Sequence, residues 1–111
     1  MYIKIRRVEA VTILDVNGAL YIGKAERAFR ETVQKLMESG TRHLAINFAA
    51  VPKLDSSGIS VLVRTHTSIA RAGGRCCLFA ATENVLQTLR LVRLDTVLDL
   101  FPDEASALAS F

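Results

Sequence analysis

The spacing of apolar residues changes repeatedly along the chain, and each change marks an element. Tyr2, Ile3, Ile5 and Val8 are interleaved with Lys4, Arg6 and Arg7, which predicts a first strand over 2–8, at a sheet edge. Ala10 to Val16 is richer in β-branched residues and predicts a second strand, joined to the first by a tight turn at Glu9-Ala10. Asn17-Gly18 closes it with residues that tolerate positive φ. From Lys24 to Ser39 the period becomes helical: Ala25, Ala28, Phe29, Val33, Leu36 and Met37 share a face, while Glu26, Arg27, Arg30, Glu31 and Lys35 fall elsewhere. Gly40 is placed to end this helix.

His43 to Phe48 reads as a buried strand, and 49–54, with Pro52, as its connector. A second amphipathic helix follows from Ser57 to Ala72, its apolar face drawn by Ile59, Leu62, Val63, His66, Ile69 and Ala70, and it stops at Gly73-Gly74. Cys76 to Ala81 predicts another strand, Thr82 caps a helix reaching Val92, and Thr96 to Leu100 predicts a short last strand. Pro102 suits the first turn of a terminal helix over 103–110. The order β-β-α-β-α-β-α-β-α implies an α/β fold, a mixed sheet of about five strands covered by about four helices. The 111 residues suffice for one domain, not two cores.

Charge and composition narrow the function. The net charge of +3 is mild, and the basic residues are scattered and interrupted by acids. A nucleic-acid reader would carry a denser basic stripe with interleaved aromatics. The longest uncharged stretch, His43 to Pro52, is too short to span a bilayer. Glu9 and Asp15 break the apolar run that an export signal after Arg6-Arg7 would need. A cytoplasmic location is the expectation. Cys76 and Cys77 are adjacent, so on a strand they point to opposite faces and read as reduced small residues. With His43 and His66 they show no metal-ligand spacing, and no phosphate-loop pattern is present, so neither metal nor cofactor is expected.

The chemistry concentrates in Asp55-Ser56-Ser57-Gly58, at a helix entrance where amide donors and the positive dipole end converge. The plain reading is a cap, with Asp55 or a serine accepting the first amides and Gly58 permitting a close turn. Yet one cap needs one side chain, and here three polar residues precede the apolar run. The connector is uncharged apart from Lys53, which points to serines lying within an apolar docking surface. Catalysis is disfavoured. A serine nucleophile needs a base, but His66 lies about 14 Å along the helix from Ser57, and nothing brings His43 near. The chain is read as a non-enzyme.

Val51 to Leu62, set between the strand Leu44 to Phe48 and the helix exit Ala72 to Arg75, with a Leu-rich segment from Leu89 to Phe101, resembles the STAS domain, specifically the small bacterial anti-sigma factor antagonists. That resemblance implies a protein that, unphosphorylated, binds an anti-sigma factor that is also a serine kinase, and so frees a sigma factor. The kinase phosphorylates the serine directly after the Asp, which matches Ser56 rather than Ser57, and a phosphatase resets it. Asp55, Ser56, Ser57 and Gly58 would then form the partner-binding loop. Tyr21, in the Gly18-to-Lys24 loop, stands where the family often has an acid; in such a fold that loop would lie near Ser56 and in reach of the kinase. Other STAS roles remain open: a subunit of a lipid-transport ATPase or signalling scaffold, and, more remotely, a small-ligand sensor.

Overall fold

The computed structural model describes residues 1–111. Strands β1 (Tyr2–Val8) and β2 (Val11–Asn17) form an antiparallel hairpin, with Glu9 turned into left-handed backbone at φ 55°. From β2 onward the chain repeats strand, helix, parallel strand. Helix α1 (Lys24–Glu38) leads to β3 (His43–Ala50), α2 (Ser56–Arg71) to β4 (Arg75–Phe79), and α3 (Glu83–Leu91) to β5 (Leu100–Phe101). The five-stranded sheet runs in sequence order, β1-β2-β3-β4-β5, all parallel except the β1–β2 pair. Helix α4 (Glu104–Ala109) closes the chain.

Side chains alternate across each strand, so the sheet has two apolar faces of unequal size. On one, Leu14, Val16, Leu44, Ile46, Phe48, Cys76 and Leu78 pack beneath Phe29, Val33 and Leu36 of α1, Val61, Leu62 and Ile69 of α2, and Val85 and Leu89 of α3, within a core of 19 buried residues. On the other, Val11, Ile13, Ala45, Cys77 and Phe79 form a core of six with Ala107 of α4, flanked by the part-buried Leu108 and Phe111. The helices therefore do not share the sheet evenly: three cover one face and one short helix covers part of the other.

Several boundaries differ from the sequence reading. Leu94–Thr96 forms a single 3-10 turn after Arg93, which sits at φ 61°, so the expected strand over 96–100 is reduced to Leu100–Phe101. The 3-10 turn takes up Thr96, and Val97 follows it in helical backbone, so the strand begins later. Strand β4 ends at Phe79 because Ala80 adopts φ 58°. Pro102 lies outside the last helix, whose cap is Asp103. Helix α2 starts one residue earlier than expected, at Ser56. Its buried stripe is Gly58, Val61, Leu62, Thr65 and Ile69; Ile59, Val63 and His66 sit on its margins and Ala70 is exposed. Thr65 fits the core because its hydroxyl donates to the Val61 carbonyl at 2.7 Å, leaving only its methyl to pack.

Candidate functional site

Two loops meet at the start of α2. The segment after β2 runs beside the connector after β3 as if the sheet continued: Gly18 N–H donates to Ala50 O at 3.0 Å and Leu20 N–H to Lys53 O at 3.0 Å. Asp55 N–H donates back to Leu20 O at 3.3 Å. Leu20 and Leu54, paired across this bridge, both turn into the core. From the other side the Asn84 amide holds the Pro52 carbonyl at 2.9 Å. The connector is thus fixed on both flanks by groups remote in sequence.

Asp55 caps α2 from extended backbone, φ −105° and ψ −172°. One carboxylate oxygen accepts from Gly58 N–H at 2.9 Å, and the other accepts from Ile22 N–H, 33 residues away, also at 2.9 Å. The Ile22 and Gly58 amides together hold this carboxyl below its ordinary value, because each favours the charged form. Gly58 is required by approach rather than by φ. A methyl group there would run into the Leu20 carbonyl and lie 3.1 Å from Leu20 Cγ and Leu54 Cβ.

Ser56 is the first residue of α2 and is exposed, while Ser57 is half-buried. The Ser56 hydroxyl takes no part in the hydrogen bonds that cap the helix or tie the loops. Tyr21 and Ile22 are exposed, and Ile22 is 76% accessible although its amide is pinned by Asp55. Sequence reasoning named Asp55, Ser56, Ser57, Gly58 and Tyr21, and the fold gathers all five around one loop pair. It missed Ile22 and Asn84, whose roles arise from backbone and amide contacts with no sequence signature. It took the uncharged connector as a sign that the serines lie within an apolar docking surface, but the connector's Val51 and Leu54 belong to the core. The exposed apolar side chains come instead from Tyr21 and Ile22, and from a groove of about 490 Å³ lined by Ile59, Ser60, Val63, Arg64, Val92 and Leu94.

The other reactive groups lie elsewhere. His43 is at the opposite end of β3, its ring 5.3 Å from that of Phe111. His66 faces a small space beside Leu62, Cys76 and Leu98. Cys76 and Cys77 are free and buried, and burial raises both thiols, Cys77 to about 11. No group of three or more His, Cys, Asp or Glu side chains is placed to hold a metal ion. No helix is long and apolar enough to cross a membrane.

Residues 2–107 match the family described as the STAS domain. The chain belongs to the STAS family. Among solved structures, this STAS domain is similar to a candidate anti-sigma factor antagonist from Thermotoga maritima, at 25% identity and TM-score 0.91 over 97% of this chain and 92% of that one. The anti-sigma factor antagonist SpoIIAA in its unphosphorylated form shares the fold at 14% identity and TM-score 0.75, covering 98% and 96% of the two chains. A sulfate transporter family protein from Wolinella succinogenes shares it at 22% identity and TM-score 0.78, covering 93% and 85%. No curated protein matches the chain in sequence. The five strands and four helices are those of the STAS fold.

Proposed function

We propose that this STAS domain is an anti-sigma factor antagonist switched by phosphorylation of Ser56. The observation that carries the reading is a division of labour within one loop. Asp55 satisfies the helix cap and the loop tie, so the adjacent Ser56 hydroxyl stays exposed and has no structural task. The unphosphorylated protein binds an anti-sigma factor with serine kinase activity, using Tyr21, Ile22 and the α2 entrance. The kinase transfers the γ-phosphoryl of ATP to Ser56 Oγ, releasing ADP and the hydroxyl proton, and a phosphatase restores the serine. The phosphate sits at the positive end of the α2 dipole, a favourable placement of about 0.3–1 kcal/mol, so modification leaves the domain folded. Its cost falls on the complex, where a group of about −1.5 to −2 charge meets a desolvated surface. A penalty of about 3–4 kcal/mol weakens binding several hundred-fold.

The likeness to a candidate antagonist over nearly the whole chain supports this reading. The test is the kinase itself: with ATP, Ser56 gains one phosphate, and Ser56→Asp binds the kinase far more weakly than Ser56→Ala. Equal binding by the two variants overturns it. A second reading, a non-catalytic STAS subunit of a transporter complex, is supported by the likeness to the sulfate transporter family protein. Co-purification of an untagged complex with transporter subunits, with Ser56 unmodified, would favour it.

A further inference from the structure

The two faces of the sheet are held by different means. Helix α4 is six residues long, too short to persist alone, and Ala107 is its one fully buried residue. Two arginines from the sheet clasp its ends. At the start, Arg6 of β1 reaches Glu104 at 2.6 Å while its other donors grip Asp15 at 2.6 and 3.0 Å. At the end, Arg75 of β4 donates to the Ser110 carbonyl at 2.9 Å and hydroxyl at 2.8 Å. The Arg75 guanidinium also lies 5.0 Å from the Phe111 ring centre and 5.9 Å from that of Phe101. These polar clasps are part-exposed, and such pairs each contribute little and weaken with salt. By contrast α1 to α3 share a large continuous core.

We infer that α4 is a detachable strap, which lifts from the sheet as a local opening while α1, α2 and α3 stay in place. Lifting uncovers the apolar face of Val11, Ile13, Ala45, Cys77 and Phe79, on the side of the sheet away from Ser56. The Asp55 loops share no clasp with α4, so the switch site keeps its geometry while the strap is open.

The chain carries its own two-sided reporter. Cys76 packs under α2, and its neighbour Cys77 packs under α4. Two variants, Cys76→Ala and Cys77→Ala, each leave one thiol, to be titrated with 5,5′-dithiobis(2-nitrobenzoate) under native conditions. The remaining Cys77 is expected to react at least about ten-fold faster than the remaining Cys76, since local openings precede global unfolding. Adding Glu104→Gln, or separately Arg75→Gln, should speed Cys77 about five-fold and leave Cys76 unchanged. Hydrogen exchange gives an independent reading without substitutions: the Ala107, Ser110 and Phe111 amides exchange faster than those of α2. Equal rates for the two cysteines, equal acceleration of both by a clasp variant, or α4 amides as protected as α2 would each overturn the inference.

Discussion

Asp55 and Asp103 are two aspartates doing what looks like one job. Each caps a helix from extended backbone and accepts the amide three residues on, at 2.9 Å from Gly58 and 2.8 Å from Ser106. Asp103 takes the Ser106 hydroxyl on that same oxygen, at 2.6 Å. Asp55 gives its second oxygen to Ile22 in another loop. The residues that follow also differ. Glu104 is tied to Arg6, whereas Ser56 is left free. One aspartate only starts a helix; the other also ties two loops together. The difference lies in what crosses the second oxygen, not in the capping motif.

The two helix starts differ most at the third helical position. Gly58→Ala forces a methyl against the Leu20 carbonyl and should destabilise by about 3 kcal/mol or prevent folding, since backbone cannot yield as a side chain can. Ser106→Ala, at the equivalent place in α4, should cost under about 1 kcal/mol. Chemical denaturation of the two variants measures the gap, and a tolerated Gly58→Ala would show that the loops do not need their close approach.

Next in size are the caps. Asp55→Ala loses a helix cap and a tertiary tie, so its drop in Tm should be about twice that of Asp103→Ala. Asp55→Asn sharpens the point, because one amide oxygen can accept but the NH2 group cannot. It should retain the cap and release Ile22, seen as faster hydrogen exchange of the Ile22 amide with α2 still protected. If Asp55→Ala and Asp103→Ala lower Tm equally, the Ile22 contact contributes nothing.

Acid should act on both sites with one sign. Each carboxyl is held below the ordinary aspartate value of 3.8 by donors that favour its charged form. Their contribution is complete above that value and is lost as pH falls through the depressed folded-state pKa. Stability should therefore decline as pH drops below about 4, and Asp55→Asn should flatten the decline. A Tm profile unchanged by that substitution would contradict the assignment. The smallest effect belongs to the proposed acceptor: Ser56→Ala should shift stability by no more than about 0.5 kcal/mol, as for a surface side chain with no structural partner. A larger loss would make Ser56 part of the cap.

Much of this was legible in the residues. The helical period from Lys24, the Thr82 cap and the stops at Gly40 and Gly73 all stand where the pattern put them, because each rests on interactions within a few residues. The failures are also physical. The last strand was displaced because Arg93 takes a left-handed turn that no local residue type announces. The face of α2 was read through Ile59, Leu62, Val63, His66, Ile69 and Ala70; Leu62 and Ile69 are buried, but the stripe also takes in Gly58, packed against Leu20, and Thr65, whose hydroxyl is satisfied by Val61. The apolar character of the connector was read as a docking surface around the serines, but Leu20 and Asn84 hold the connector in place and Val51 and Leu54 are buried in the core.

By itself, then, the sequence determined the α/β order, the STAS resemblance and the loop that carries Asp55, Ser56, Ser57 and Gly58, since capping and periodicity act over one or two turns of chain. Which polar group is occupied and which is free depended on contacts between segments remote in the chain. Asp55 is satisfied by Ile22 and Gly58, leaving Ser56 exposed, because hydrogen-bond demand at a helix start is met by whatever backbone the fold brings within 3 Å. The same holds for the unequal faces of the sheet: alternation gave β2, β3 and β4 two apolar sides, and the crossovers placed three helices on one and left the other to a clasped strap.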